Sequence, residues 1–247
     1  MTHRFWVSSE QIRAEEVAFT PDQSHQLRSV LRLRPGDRVQ VFDGAAPCDR
    51  VVELVDATRG RVVGHSRQAS EPKTRLVVYP ALLQRDKFEP VLQKLTEIGV
   101  AAIGPVTTAR GLVRDAPDER RYHRWRSIVR EASEQSGRGV LPALLPTRPL
   151  IAALASAEGT LVMAYERERN HQVRDALVGR PAEVAVFVGP EGGFTAEEAE
   201  AAAQRSAHLV TLGQRVLRTE TASPVLAALI LYELGDLSWP EDFHHDD

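Results

Sequence analysis

Polar and apolar residues alternate in short runs over the first seventy positions. "RVQVF" (38–42) and "DRVVELVD" (49–56) carry the period of two expected of half-buried strands, and "RVVGHSRQ" (61–68) looks like a further strand. Pro21-Asp22 opens a helical stretch through Leu27, Val30 and Leu31, which Pro35-Gly36 ends. Short strands joined by tight turns predict a small β-barrel over residues 1–70. The polar, proline-containing "ASEPKT" (69–74) reads as a linker.

From residue 75 the period changes. "RLVVYPALL" is apolar throughout, as a strand covered on both faces would be. "KFEPVLQKLTEIG" then sets Phe88, Val91, Leu92, Leu95 and Ile98 at helical spacing, with Gly99 as its stop. "VAAIGPV", "TLVMAYE", "VAVFVG" and "HLVTLG" read as further strands, with helical stretches between them. One of these, "DERRYHRWRSIVREASEQSGR", puts Tyr122, Trp125, Ile128, Val129 and Ala132 on one face. The last helix, "SPVLAALILYELG", is expected to hold Pro224 in its first turn and Gly235 past its end. It is apolar nearly all round, which fits either a core helix or a dimer interface. Strands alternating with helices predict an α/β domain over 75–247 built on a parallel sheet.

Composition narrows the class. The chain has 247 residues, 43% hydrophobic and 26% charged, as in an ordinary globular protein. Its one cysteine, Cys48, excludes an internal disulfide and a cysteine-rich zinc site. The scattered histidines predict no metal. The start of the chain lacks the apolar core of a signal peptide, and the longest apolar run, Val225–Tyr232, is too short to span a membrane. A cytoplasmic protein is the expectation, with His244-His245-Asp246-Asp247 as a disordered polar tail. The net charge of −3 argues against bulk adhesion to nucleic acid. Local basic stretches, His25–Arg38 and Arg110–Arg138, are compatible with a specific polyanion contact or with solvated helix faces.

Ligands of parallel sheets bind beyond the carboxyl ends of the strands. Three loops therefore attract notice: after Tyr165, after Val188 and after Leu212. "VFVGPEGGF" matches neither G-x-G-x-x-G nor G-x-x-x-x-G-K-[ST], contains no lysine, and carries Glu191, which would repel a pyrophosphate. Gly192-Gly193 permits close backbone approach. Thr195 with Glu198 forms a capping-box pattern. The segment is either a tight strand-to-helix turn or one wall of a site for a neutral or cationic ligand. "GQRVLRTETASP" follows another buried strand, and "AYERE" supplies Glu166.

"VGPEGGF", "LGQRVLRTETA", and "EASEQSGR" with "LP" following resemble the RsmE family, in the SPOUT superfamily of RNA methyltransferases. "HQLRSVLRLRPGD", "FDG" (42–44), and Lys87, Lys94 and Glu97 before "IGV" extend the resemblance over almost the whole chain. "TTARGLVR" (107–114) departs from it, standing where a serine-rich Ser-x-Arg-Ser-like segment is expected. The resemblance implies a PUA-like barrel and a C-terminal domain whose last segment forms a trefoil knot. It further implies S-adenosylmethionine as cofactor, a homodimer, and methylation of N3 of a uridine in the decoding region of 16S ribosomal RNA, free or in the assembled small subunit. On this basis the cofactor residues are Tyr165, Glu166, Gly189, Pro190, Glu191, Gly192, Gly193, Leu212, Gly213, Leu217, Thr221 and Ala222. Arg218 is expected to orient the base and stabilise its anion, with Glu220 or a water as proton acceptor. Arg28, Arg32, Arg34, Lys87 and Lys94 are expected to grip RNA, and Arg138 to touch RNA phosphate or the partner's cofactor loop. The rival from another class is a non-catalytic RNA-binding or ribosome-assembly protein that keeps the fold.

Overall fold

The computed structural model describes residues 3–44, 48–67, 71–84 and 87–238. The 244–247 tail and residues 69–70 of the expected linker lie outside them. The chain divides into two compact units, one formed by residues up to 71 together with 130–141, the other by 72–129 and the chain from 142 onward.

The first unit holds strands β1 (Arg4–Trp6), β2 (Ile12–Arg13), β3 (Glu16–Ala18), β4 (Arg38–Phe42), β5 (Cys48–Leu54) and β6 (Arg59–Arg67), and helix α1 (Pro21–His25). They form one curled sheet in the order β1-β4-β5-β6-β3-β2, antiparallel except for the β1–β4 pair. Opposite Val51 and Val52 the register skips Val63, an extra residue on β6 that bends that strand. Alternation delivers Val39, Val41, Val52, Leu54 and Val62 to the core with Phe5, Val17 and Leu27. Helix α1 starts where Thr20 and Gln23 exchange side-chain to backbone bonds, a capping box. It continues as a wider turn over Gln26–Val30.

The second unit comprises β7 (Arg75–Pro80), α2 (Phe88–Ile98), β8 (Ala102–Ile103), β9 (Val106–Thr107), the first part of α3 (Glu119–Ser136), β10 (Ala143–Leu144), β11 (Arg148–Pro149), α4 (Leu150–Ser156), β12 (Thr160–Ala164), β13 (Glu183–Val188), α5 (Ala196–Gln204), β14 (His208–Val210) and α6 (Thr219–Leu234). Its sheet is parallel, in the order β10-β8-β7-β13-β12-β14. Both faces are covered. On β13, Val184, Val186 and Val188 face α2, α3 and α6, while Ala185 and Phe187 face α4 and α5. This double coverage explains why these strands read as apolar throughout. No helix among the described residues is long and apolar enough to cross a membrane.

Two elements differ from the sequence expectation. "VAAIGPV" is two short strands, β8 and β9, because Pro105 has no N–H to donate to a ladder. Helix α6 begins at Thr219, so Pro224 lies in its second turn rather than its first. Pro224 cannot donate to the Glu220 carbonyl. One residue earlier, the Ser223 hydroxyl donates to the Thr219 carbonyl at 2.9 Å.

Candidate active site at the carboxyl edge of the sheet

Strand register puts the three suspect loops level with one another. Ala164 of β12 is paired with Val188 of β13 on one side and Val210 of β14 on the other. The chain therefore leaves all three strands from one row. Beyond that row the loops enclose a cavity of about 230 Å³.

Tyr165 and Glu166 form the first wall. The Tyr165 N–H donates to the Val210 carbonyl at 3.0 Å, tying this loop to β14. The turn that follows is organised by Glu168, whose carboxylate accepts from the backbone N–H groups of Asn170 (2.7 Å), His171 (3.1 Å) and Arg169 (2.8 Å). These bonds, that to Asn170 foremost, hold its carboxyl down at a pKa of about 2.

The second wall is the loop from Gly189 to Phe194. Gly193 donates to the Pro190 carbonyl at 2.9 Å, closing a turn, and has φ +67°. A β-carbon there would displace the Glu166 carboxylate, and the positive φ itself favours glycine. Thr195 and Glu198 cap α5 reciprocally, as the sequence pattern predicts. Glu191 is not solitary: Lys87 Nζ stands 3.4 Å from its Oε1. Lys87, expected only as an RNA contact, therefore meets the glycine loop. Both groups are well exposed, so the pair contributes little to stability.

Leu212 to Leu217 make the third wall, with Gly213 at φ +99° and Val216 88% exposed. The Thr219 hydroxyl donates to the Gly189 carbonyl at 2.8 Å, so the head of α6 is fastened to the second wall. That bond, and the presence of Gln214, Arg215 and Val216 at the cavity, were not anticipated. The one signal was the apolar pair Val216-Leu217 between Arg215 and Arg218.

Of the expected cofactor residues, Tyr165, Glu166, Pro190, Leu212, Leu217, Ala222 and the four loop glycines line the cavity together with Glu191. Thr221 does not; it is exposed in the first turn of α6. Arg218 is the N-cap residue of α6 and is exposed. Neither it nor Glu220 lines the cavity, but Glu220 Oε2 is buried and has no hydrogen-bond partner among the described residues. Arg28, Arg32 and Arg34 are exposed on the first unit, and Lys94 pairs with Glu97 at 2.8 Å. Arg138, expected at RNA phosphate or the partner's cofactor loop, is 6% exposed in the single chain, with its guanidinium against the Glu71 carboxylate at 2.7 Å. Burial makes that partner necessary, since an unpaired interior cation is costly.

The model of an RNA methyltransferase domain family matches residues 70–231. A ribosomal RNA small subunit methyltransferase E from Synechocystis sp. is 33% identical, over 93% of this chain and 77% of its own length. One from Bacillus subtilis is 27% identical over 93% and 96%. Among solved structures, a ribosomal RNA small subunit methyltransferase E from Neisseria gonorrhoeae bound to S-adenosyl methionine superposes with a TM-score of 0.82 at 30% identity, covering 94% of this chain and 98% of that one. A putative methyltransferase from Legionella pneumophila, in complex with the same cofactor, gives 0.82 at 26% over 94% and 98%. A site at the carboxyl edge of a parallel sheet, a family model spanning most of the chain, and full-length relatives at this identity together make the chain a member of the ribosomal RNA small subunit methyltransferase E family.

Proposed function

We propose that this chain transfers a methyl group from S-adenosylmethionine to N3 of a uridine in bacterial small-subunit ribosomal RNA. The carrying observation is the cavity: three loops start level, and its lining sets two carboxylates, Glu166 and Glu191, against one cation, Arg215. Such a lining suits a ligand with a cationic centre and disfavours a pyrophosphate. The cofactor in the Neisseria relative supports the same reading. Gly189, Gly192 and Gly213 let a ligand approach the backbone closely, and Leu212 and Leu217 offer apolar surface. When bound, S-adenosylmethionine supplies an electrophilic methyl group on a positively charged sulfur.

The chain's own task is to prepare the uridine. Its N3 carries a proton at neutral pH, and that proton must leave. In this reading Arg218 orients the uracil and stabilises negative charge on its carbonyl oxygens. Glu220, with a buried oxygen that nothing else engages among the described residues, takes the proton directly or through a water. Arg28, Arg32, Arg34, Lys87 and Lys94 grip phosphate, so RNA affinity falls with added salt. Arg138 is left out of this set because Glu71 holds it.

Two architectural statements belong to the same proposal. The chain leaves β14 at the sheet edge, yet α6 returns to pack on α2, β7 and β13 in its middle, which supports threading of this segment as a trefoil knot. Val225, Leu229 and Tyr232 recur at helical spacing on α6 and are exposed in the single chain, which supports a homodimer.

The test is transfer of labelled methyl from S-adenosylmethionine to small ribosomal subunits, and to free RNA, from a strain lacking the activity. Methyl at uridine N3 is expected. Cofactor binding without transfer to either substrate would favour the non-catalytic RNA-binding alternative.

A further inference from the structure

The second wall is held from behind by the segment that follows β9. Glu198 is 8% exposed. One of its carboxylate oxygens accepts the Thr195 N–H at 2.8 Å and closes the helix cap. The other accepts the Ala109 N–H, also at 2.8 Å. Ala109 is thereby pinned to the start of α5, and Arg110 follows it directly. Arg110 Nη1 donates to the Gly192 carbonyl at 3.1 Å and to the Phe194 carbonyl at 3.3 Å. Its stem packs along Gly192, where an added β-carbon would stand 3.2 Å from Arg110 Cβ.

Gly193 lies between those two carbonyls, in its left-handed conformation against Glu166. A Gly-Gly pair left to itself samples many conformations. A cation bonded to the carbonyls on both sides of Gly193 favours one of them, since it holds both carbonyls at once and an ionised donor bonds more strongly than a neutral one. Arg110 itself does not line the cavity. Its influence on the cavity runs through the backbone it grips.

We propose that Arg110 is a positioning residue of the donor pocket: it sets the conformation of Gly192–Phe194 and with it the spacing between that loop and Glu166. The proposal rests on the reading of the cavity as the S-adenosylmethionine pocket. A phosphate contact is the competing role for an exposed arginine in such a chain. The committed bonds of Nη1 favour the loop.

Arg110→Ala and Arg110→Lys separate these roles. Three readouts apply: amide hydrogen exchange at 191–194 without ligand, S-adenosylmethionine affinity by calorimetry, and RNA affinity against salt. Arg110→Ala is expected to speed exchange in the loop. It should also raise the donor Kd and KM about tenfold, the equivalent of one charge-assisted hydrogen bond. The kcat at saturating donor is kept. Arg110→Lys falls between, and added methylguanidinium restores part of the donor affinity of Arg110→Ala. Unchanged exchange together with unchanged donor affinity overturns the proposal. So does weaker RNA binding with a shallower salt slope and an intact donor Kd. If the wild-type chain itself bound no donor, the reading of the cavity would fall, while the exchange experiment would still score Arg110's hold on the loop.

Discussion

The second and third walls of the cavity are both glycine-containing connections from a buried strand to a helix, yet they are built differently. The 189–194 loop is fastened on every side: Arg110 on two carbonyls, Thr219 on a third, the Glu198 cap behind, Glu166 against Gly193. The 212–217 loop has almost nothing of the kind. Thr211 bonds locally to Gly213, and no hydrogen bond among the described residues ties Gln214, Arg215, Val216 or Leu217. A preformed wall gives affinity without an ordering cost at binding, while a loosely tied wall can adapt to its ligand. Both walls line the same cavity, so the contrast gives it one preformed side and one more adaptable side.

The strongest way to break this contrast is at Arg218. Arg218→Ala is expected to lower kcat for methyl transfer by about 10²–10³-fold, the scale of a lost transition-state donor. Its melting temperature should hold, because the side chain is exposed. Full activity would remove Arg218 from the chemistry. Next comes Glu198→Ala in the fastened wall. It strands the Thr195 and Ala109 N–H groups and is expected to cost about 2 kcal/mol. At roughly 2–4 °C per kcal/mol for a chain of this size, calorimetry would read the loss directly. Gly193→Ala should cost about 1–2 kcal/mol for a side chain at positive φ. It should also weaken donor binding by pushing Glu166 away. Val216→Ser in the loose wall is expected to move stability by less than about 0.5 kcal/mol. A large loss there would mean that the third wall is not loose.

The smallest effect concerns the first wall and pH. Glu168 has its folded pKa lowered from 4.5 to about 2. The sign follows: its contribution is fully present above pH 4.5 and is lost as pH falls toward about 2. Protection of the 169–171 amides, referred to the intrinsic exchange rate at each pH, should therefore fall over that window, and Glu168→Gln should abolish the step.

Much of the site was legible because it is local. Each suspect loop lies directly after an apolar strand, and strand identity needs only a few consecutive residues. The Thr195–Glu198 cap was legible for the same reason. Arg138 shows where local reading fails. Its sequence neighbours suggest an RNA or partner contact, but its guanidinium meets the Glu71 carboxylate, 67 positions away. Lys87 meets Glu191 across 104 positions, and Arg110 grips carbonyls 82 and 84 positions on. No periodicity reports such pairs. Helix α6 likewise starts early because Thr219 is drawn to the Gly189 carbonyl, a partner outside its own segment.

By itself, then, the sequence determined the alternation of strands and helices, the double coverage of the sheet, and the glycine-and-carboxylate character of the loops. These follow from side-chain hydrophobicity and backbone freedom, which act within a few residues. Only the tertiary structure decided that Ala164, Val188 and Val210 stand in one row, so that three loops become one cavity. It also decided which loop is held by hydrogen bonds from distant segments and which is not. Those outcomes depend on strand register and on hydrogen bonds between distant segments, and they exist only once the chain has folded.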